Sequence, residues 1–253
     1  MNIPIQPLLE EIGALRSQVK EHRPLNPAAL EKVHQALDIA YTFESNRIEG
    51  NTLTLQETAL VVEEGLTIGG KSMREHLEAI NHFEAIAFIK EVAQQQLPIT
   101  QSLILQIHAL ILRGIDRDNA GRLRTVSVLI SGSRHTPPPP FMLSEEMEHF
   151  MNDFKHRETK GQHPVLLAAY LHDELVRIHP FIDGNGRTSR LLMNLYLLRS
   201  GYLIVSIKGD HDDRLRYYTA LEESHTQGRP EAFQHLVAEK ERQALQDYLK
   251  LLS

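Results

Sequence analysis

The sequence predicts an all-α domain carrying one short β-hairpin. Apolar residues recur at helical spacing through most of the 253 positions, and helix-start signals stand where the periodic runs begin. One stretch breaks the pattern: residues 123–130 (LRTVSVLI) are rich in β-branched side chains, followed by Ser131-Gly132-Ser133 and a proline run from Pro137 to Pro140. That combination predicts a protruding hairpin rather than a sheet.

The periodicity places helices near 6–21, 27–48, 54–65, 72–96, 101–113, 144–157, 164–179, 187–200, 211–226 and 230–252, with no repeat of fixed period. Ser72 followed by Glu75 is a capping box, Thr100 precedes an apolar-periodic run, and Pro164 suits the first turn of its helix. The 164–178 segment (PVLLAAYLHDELVRI) is apolar on most faces, which predicts a central, buried helix. It delivers His179 at its end. The next helix carries Leu191, Leu192, Leu195 and Leu198 on its packing side, so the loop between the two is held at both ends by core.

Composition narrows the function classes. A 42% hydrophobic chain of this length can bury one substantial core. With 27 Lys+Arg against 33 Asp+Glu the net charge is -6, which argues against a nucleic-acid partner, because such affinity comes mainly from clustered cations. There is no cysteine, which removes disulfides, thiolate catalysis and Cys-ligated zinc together and fits a cytoplasmic setting. The first residues lack a basic segment followed by an apolar run, and no apolar stretch reaches membrane-spanning length. The expectation is a soluble, unprocessed protein that does not engage a membrane.

The chemistry concentrates in residues 179–190 (HPFIDGNGRTSR). In the run from Asp183 to Arg187, two glycines let the backbone approach a ligand closely, and the following helix points its free N–H groups and positive dipole end into the turn. Such a turn by itself serves equally as a plain helix connection. Arg187 and Arg190 change the balance: cations in a first helical turn oppose the dipole and are disfavoured unless an anion sits there. Gly184, Asn185, Gly186, Arg187, Thr188, Ser189 and Arg190 are therefore candidate polyphosphate contacts. Asp183 adds a hard oxygen ligand of the kind Mg²⁺ uses alongside phosphate oxygens. His179 is the nearby group with an ordinary pKa near neutrality, suited to take a proton from an attacking hydroxyl; Pro180 stops its helix and Phe181 anchors the loop.

Two other functions compete. His172-Asp173 is an HD dipeptide on a helix and His211-Asp212-Asp213 is a second metal-capable cluster, which together raise a metal-dependent phosphohydrolase. That reading leaves the whole 179–190 string without a purpose. A catalytically silent nucleotide-binding interaction module is the nonenzymatic alternative, opposed by the intact His179 and both arginines.

His179-Pro180-Phe181, Gly184-Asn185-Gly186-Arg187 and Arg190 resemble the signature of the Fic family, with all eight specified positions at the family's spacing. The likeness covers roughly 42–252 and is especially near the animal endoplasmic-reticulum branch around IEGNTLTL and HPFIDGNGRTSRLLMN. It implies a Fic-type helical bundle in which His179 deprotonates a Ser, Thr or Tyr hydroxyl of a target protein and that oxygen attacks the α-phosphorus of ATP. Mg²⁺ on Asp183 would stabilise the departing pyrophosphate. Gly186 and Arg187 set the chain apart from the Doc-type branch, which places a lysine in the loop and moves the γ-phosphate.

The same resemblance makes 122–136 the family's flap, which aligns a target segment as an added strand, with Val128, Leu129, Ile130 and Ser131 lining the nucleotide pocket. Tyr217 and Tyr218 resemble the adenine-side tyrosine pair, and His225 stands where relatives often have asparagine. Ser45-x-x-x-Glu49-Gly50 resembles the inhibitory motif of members whose brake precedes the core; its glutamate pairs with the second motif arginine, here Arg190. This divides the chain into 1–95, the N-terminal helices with the inhibitory helix at about 27–50, and 96–253, the catalytic core with flap and C-terminal helices. Glu49 is also placed to orient a water for removing AMP, and self-modification and a homodimer are both compatible with this reading.

Overall fold

A computed structural model describes residues 4–21 and 27–252. Among these it forms ten α-helices: α1 (Gln6–Glu21), α2 (Pro27–Ile48), α3 (Leu55–Glu64), α4 (Met73–Gln94), α5 (Gln101–Ile111), α6 (Leu143–Thr159), α7 (Pro164–Ile178), α8 (Asn185–Arg199), α9 (His211–Gln227) and α10 (Glu231–Leu252). A single 3₁₀ turn, Pro140–Met142, leads into α6.

Local chemistry sets these boundaries. Thr54 and Ser72 each accept a backbone N–H three residues on, from Glu57 and Glu75, while those glutamates bond back to the cap, so α3 and α4 both begin in capping boxes. Thr100 caps α5 through the Leu103 N–H, and Asp210 caps α9 through that of Asp213. Pro164 occupies the first turn of α7, where its missing N–H costs nothing.

The architecture is a bundle wrapped on two central helices. α7 and α8 pack on each other; α4 and α5 cover α8, α6 and α10 cover α7, and α1 lies on α10. In α7, Val165, Leu167, Ala168, Leu171, Leu175 and Ile178 are all buried, and α8 buries Leu191, Leu192, Met193, Leu195 and Leu197. A helix apolar nearly all round belongs in such a centre. The 179–184 loop thus joins the two central, buried helices.

Two expectations need correction. The described residues contain no β-ladder: 122–139 runs as an irregular arm with a turn closed by the Ser133 N–H on the Ile130 carbonyl. Pro137 to Pro140 have no N–H to donate, so the returning arm cannot pair. Arg124 ties the arms instead, donating to the carbonyls of Val126 at 2.9 Å and Pro138 at 2.5 Å. The second correction concerns α8, which starts at Asn185 and not at 187. Gly184 alone takes the left-handed conformation, φ +77°, and Gly186 is helical.

Glu241 on α10 is completely buried. Its Oε1 accepts the Leu203 N–H at 3.1 Å, its Oε2 has no partner, and burial pushes the carboxyl up to about 8. A folded-state value above the unfolded one means the contribution is fully present below the unfolded carboxylate range and is lost as pH rises towards 8. Glu241→Gln is therefore expected to raise Tm at pH 8, by about 2–4 °C for each kcal/mol recovered, and to change it little at pH 4. Melting curves at the two pH values check this.

Candidate active site

His179 ends α7 in the left-handed region, at φ 49° and ψ 57°. For a residue with a Cβ this costs about 1–2 kcal/mol. The His179 Nδ1 lies 3.3 Å from the Val176 carbonyl. A carbonyl only accepts, so Nδ1 carries the proton and Nε2 keeps its lone pair. Burial holds this imidazole down at about 4, with Arg124 and His135 adding to the effect and Glu49 opposing it. Near neutral pH it is therefore an uncharged base.

The loop after His179 is braced from within. Asn185 accepts the Phe181 N–H at 3.0 Å through Oδ1 and donates to the Phe181 carbonyl at 2.9 Å through Nδ2. His108 of α5 stacks on Phe181 with ring centres 3.6 Å apart. Its Nδ1 accepts the Gly121 N–H, so its Nε2 donates to the Asp183 carbonyl at 2.9 Å. A Cβ on Gly184 would press on that same His108 ring.

No side chain caps α8, so its first N–H groups stay available at the positive end of the dipole. Arg187 and Arg190, 2% and 1% exposed, are two cations buried in its opening turns. Arg187 Nη1 faces Glu78 Oε1 at 3.2 Å and Nη2 faces Asp183 Oδ1 at 3.3 Å, while Nε has no hydrogen-bond partner. Thr188 and Ser189 are fully buried; the Ser189 hydroxyl donates to the Asn185 carbonyl, and that of Thr188 has no partner.

Asp183 is partly exposed. Its Oδ1 takes the Gly184 N–H at 2.6 Å, and its Oδ2 takes Arg74 Nη2 at 2.5 Å. Burial pushes this carboxyl up, but Arg187, the Gly184 N–H and Arg74 outweigh it and leave it below its ordinary value. The donor set suits Mg²⁺ only in part: one hard carboxylate, of the kind used with phosphate oxygens, and among the described residues no group of three His, Cys, Asp or Glu.

Arg190 meets α2. Its Nε donates to the Ser45 hydroxyl at 3.0 Å and its Nη2 to the Ser45 carbonyl at 2.9 Å and to Glu49 Oε1 at 2.7 Å. Burial weakens the guanidinium's hold on its proton, but Glu49 and the other neighbours more than restore it. The Glu49 carboxylate lies so close to Gly186 that any Cβ there would collide with it. A negative group of the protein itself therefore occupies the mouth of the helix.

Of the flap residues, Leu129 is 84% exposed, Val128 and Ile130 are half-buried, and Ser131 is open to solvent. Tyr217 is buried, its hydroxyl 3.0 Å from His172 Nε2, whereas Tyr218 is 46% exposed with its hydroxyl on the Ile48 carbonyl. His225 bonds Asp173 Oδ1 at 2.8 Å. The HD dipeptide is thus spent on separate partners, His172 on Tyr217 and Asp173 on Ser224 and His225. His211 and Asp212 sit exposed at the start of α9, and Asp213 is paired with Lys240. Sequence reading missed Arg74, His108 and Arg124, which reach the loop, and Glu78, which reaches Arg187, each from a segment with no catalytic motif of its own.

A glycine-led helix N-terminus, two buried arginines in its opening turns and a neutral histidine at the end of the preceding helix make this an α-helical bundle with fixed positive charge beside an uncharged base. The Fic/DOC family model matches residues 98–197. In solved structures, Fic-1 (aa134–508) from C. elegans superposes with a TM-score of 0.87 at 31% identity, over 97% of this chain and 72% of that one. A Fic domain containing signaling protein from Bacteroides thetaiotaomicron gives 0.84 at 29%, covering 93% and 94%. The chain belongs to the Fic/DOC family. It is also 40% identical over 197 residues to the protein adenylyltransferase Fic of Drosophila grimshawi, a match covering 77% of this chain but only 39% of that protein's length.

Proposed function

We propose that this chain transfers AMP from ATP to a Ser, Thr or Tyr hydroxyl of a protein, and that Glu49 restrains the reaction. The observation that carries the reading is the pairing of an unprotonated His179 Nε2 with an uncapped α8 N-terminus already occupied by the protein's own carboxylate. The family membership and the adenylyltransferase name of the Drosophila relative support it.

In the reaction the hydroxyl gives its proton to Nε2 of His179 as its oxygen bonds to the α-phosphorus. The bond to pyrophosphate breaks, and the imidazolium later releases its proton. The N–H groups from Asn185 to Arg187 and the two arginines supply fixed positive charge where negative charge accumulates. Asp183 would hold Mg²⁺, which supplies charge neutralisation to the phosphates when bound; Arg74 would give up Oδ2 to it. Tyr218, exposed at the rim, offers a ring face to the base, and Tyr217 backs it with ring centres 5.2 Å apart. The exposed flap around Leu129 is the surface against which a target chain lies.

The test uses wild type, Glu49→Gly and His179→Ala with ATP labelled at the α or the γ position, read by intact mass. The expected result is an AMP adduct carrying the α label, in Glu49→Gly above all and absent from His179→Ala. Transfer of the γ label would overturn the reading.

A further inference from the structure

Arg124 lies on the arm leading into the flap and is 3% exposed. Its own N–H donates to the Pro180 carbonyl at 2.9 Å, and its Nε donates to the His179 carbonyl at 2.8 Å. The remaining nitrogens reach across the flap, Nη1 to the Val126 carbonyl at 2.9 Å and Nη2 to the Pro138 carbonyl at 2.5 Å. All four acceptors are main-chain carbonyls, so a buried guanidinium is committed here to backbone geometry. Such a group is costly to desolvate, and a planar fork that satisfies several fixed acceptors at once is the use that lysine or glutamine cannot reproduce.

The two carbonyls beyond α7 belong to His179, whose backbone is left-handed, and to Pro180, the residue that follows it. Holding both fixes the peptide planes on which the direction of the His179 ring depends. The same side chain closes the two arms of the flap, which have no ladder of their own.

We propose that Arg124 is a positioning residue: it locks the backbone at His179 and Pro180 to both arms of the flap, so that the base and the surface presenting the hydroxyl are held as one unit. This rests on the reading of His179 as the base. A hydroxyl aligned by the flap then meets Nε2 at a set distance, and freeing the flap from His179 lowers the fraction of bound targets in a reactive pose.

The experiment places Arg124→Lys and Arg124→Gln in the Glu49→Gly background. Self-modification with Mg-ATP is expected to slow about 100-fold in both, the order of loss for a misplaced reactive group. Affinity for α,β-methylene ATP, read by calorimetry, is expected to stay within about twofold, because the hydrogen bonds of Arg124 go to His179, Pro180, Val126 and Pro138 and not to the proposed phosphate contacts on α8. Lysine keeps the charge and loses the fork, so it does not rescue the rate.

A second readout is the His179 ring by NMR, assigned with His179→Ala. Arg124 and His135 from the flap, Glu49 from the turn after α2 and the Val176 carbonyl from α7 face this ring. In Arg124→Gln its resonances shift and its titration midpoint rises, because a neighbouring cation is gone; in Arg124→Lys the resonances shift and the midpoint stays low. Unshifted His179 resonances in both variants, or an undiminished rate, overturn the proposal. If the Glu49→Gly parent itself forms no adduct, the transferase reading fails, and the ring resonances still decide whether Arg124 sets His179. Should Arg124→Gln not fold, Arg124→Lys decides both measurements.

Discussion

Glu49→Gly is expected to raise AMP transfer about 10- to 100-fold over wild type, measured as adduct formed per minute with Mg-ATP. The size follows from the contact removed: a charge-assisted hydrogen bond of about 1.5–3 kcal/mol holds the carboxylate on Arg190, and a phosphate competing for that guanidinium must displace it. Because Glu49 also abuts Gly186, it blocks the helix N-terminus as well as the arginine. The variant leaves Arg190 its two Ser45 contacts, so the fold has a remaining anchor for that cation. A lower Tm without nucleotide, recovered on adding α,β-methylene ATP with Mg²⁺, accompanies the gain. Equal labelling by wild type and Glu49→Gly would remove Glu49 from control of the site.

His179→Ala in the Glu49→Gly background is expected to cut transfer by about 10²- to 10⁴-fold, the range for losing a general base, without weakening nucleotide binding. Binding is expected to survive because the proposed phosphate contacts lie on α8, and the Asn185 clamp holds the loop independently of the imidazole. The pH dependence gives a second check. With His179 held at about 4, the base limb of kcat/KM should fall only below about pH 5 and stay flat through neutrality. A limb centred near the ordinary histidine value would mean that another group takes the proton.

The same depressed value bears on stability. Burial also brings His108 down to about 4, so both rings are neutral when folded and protonate on unfolding. Their contribution is present above the unfolded histidine value and lost as pH falls from about 6.5 towards 4. Glu241 acts with the opposite sign as pH rises from 4.5 to about 8; the two histidines outweigh it below 6.5, so these three groups together favour the folded state most near 6.5.

Much of the helical scaffold was legible from the sequence because its signals are local. The capping box at Ser72, the apolar run of α7 and the proline at its start each act within a few residues. The 179–190 string was legible for a related reason: a helix end, a loop and a helix start are contiguous, so their chemistry can be read in order. The ends of α8 and the flap were less so. Asn185 and Gly186 join the helix because Gly184 alone makes the turn, and the flap arms fail to pair because one of them carries the proline run.

The sequence by itself determined the all-helical scaffold, the loop that bears His179, and the presence of two arginines at a helix start where only an anion makes sense of them. Tertiary structure alone decided which distant side chains reach that loop. Arg124 lies 55 positions from His179, His108 lies 75 from Asp183 and Arg74 lies 109 from it, while Glu49 stands 141 from Arg190. No spacing rule links such pairs, because they meet only after the packing of α2, α4 and α5 around α8 has brought them together. Burial then does what sequence cannot encode locally: it strips water from His179, Arg187 and Arg190, and so makes their few remaining partners decisive.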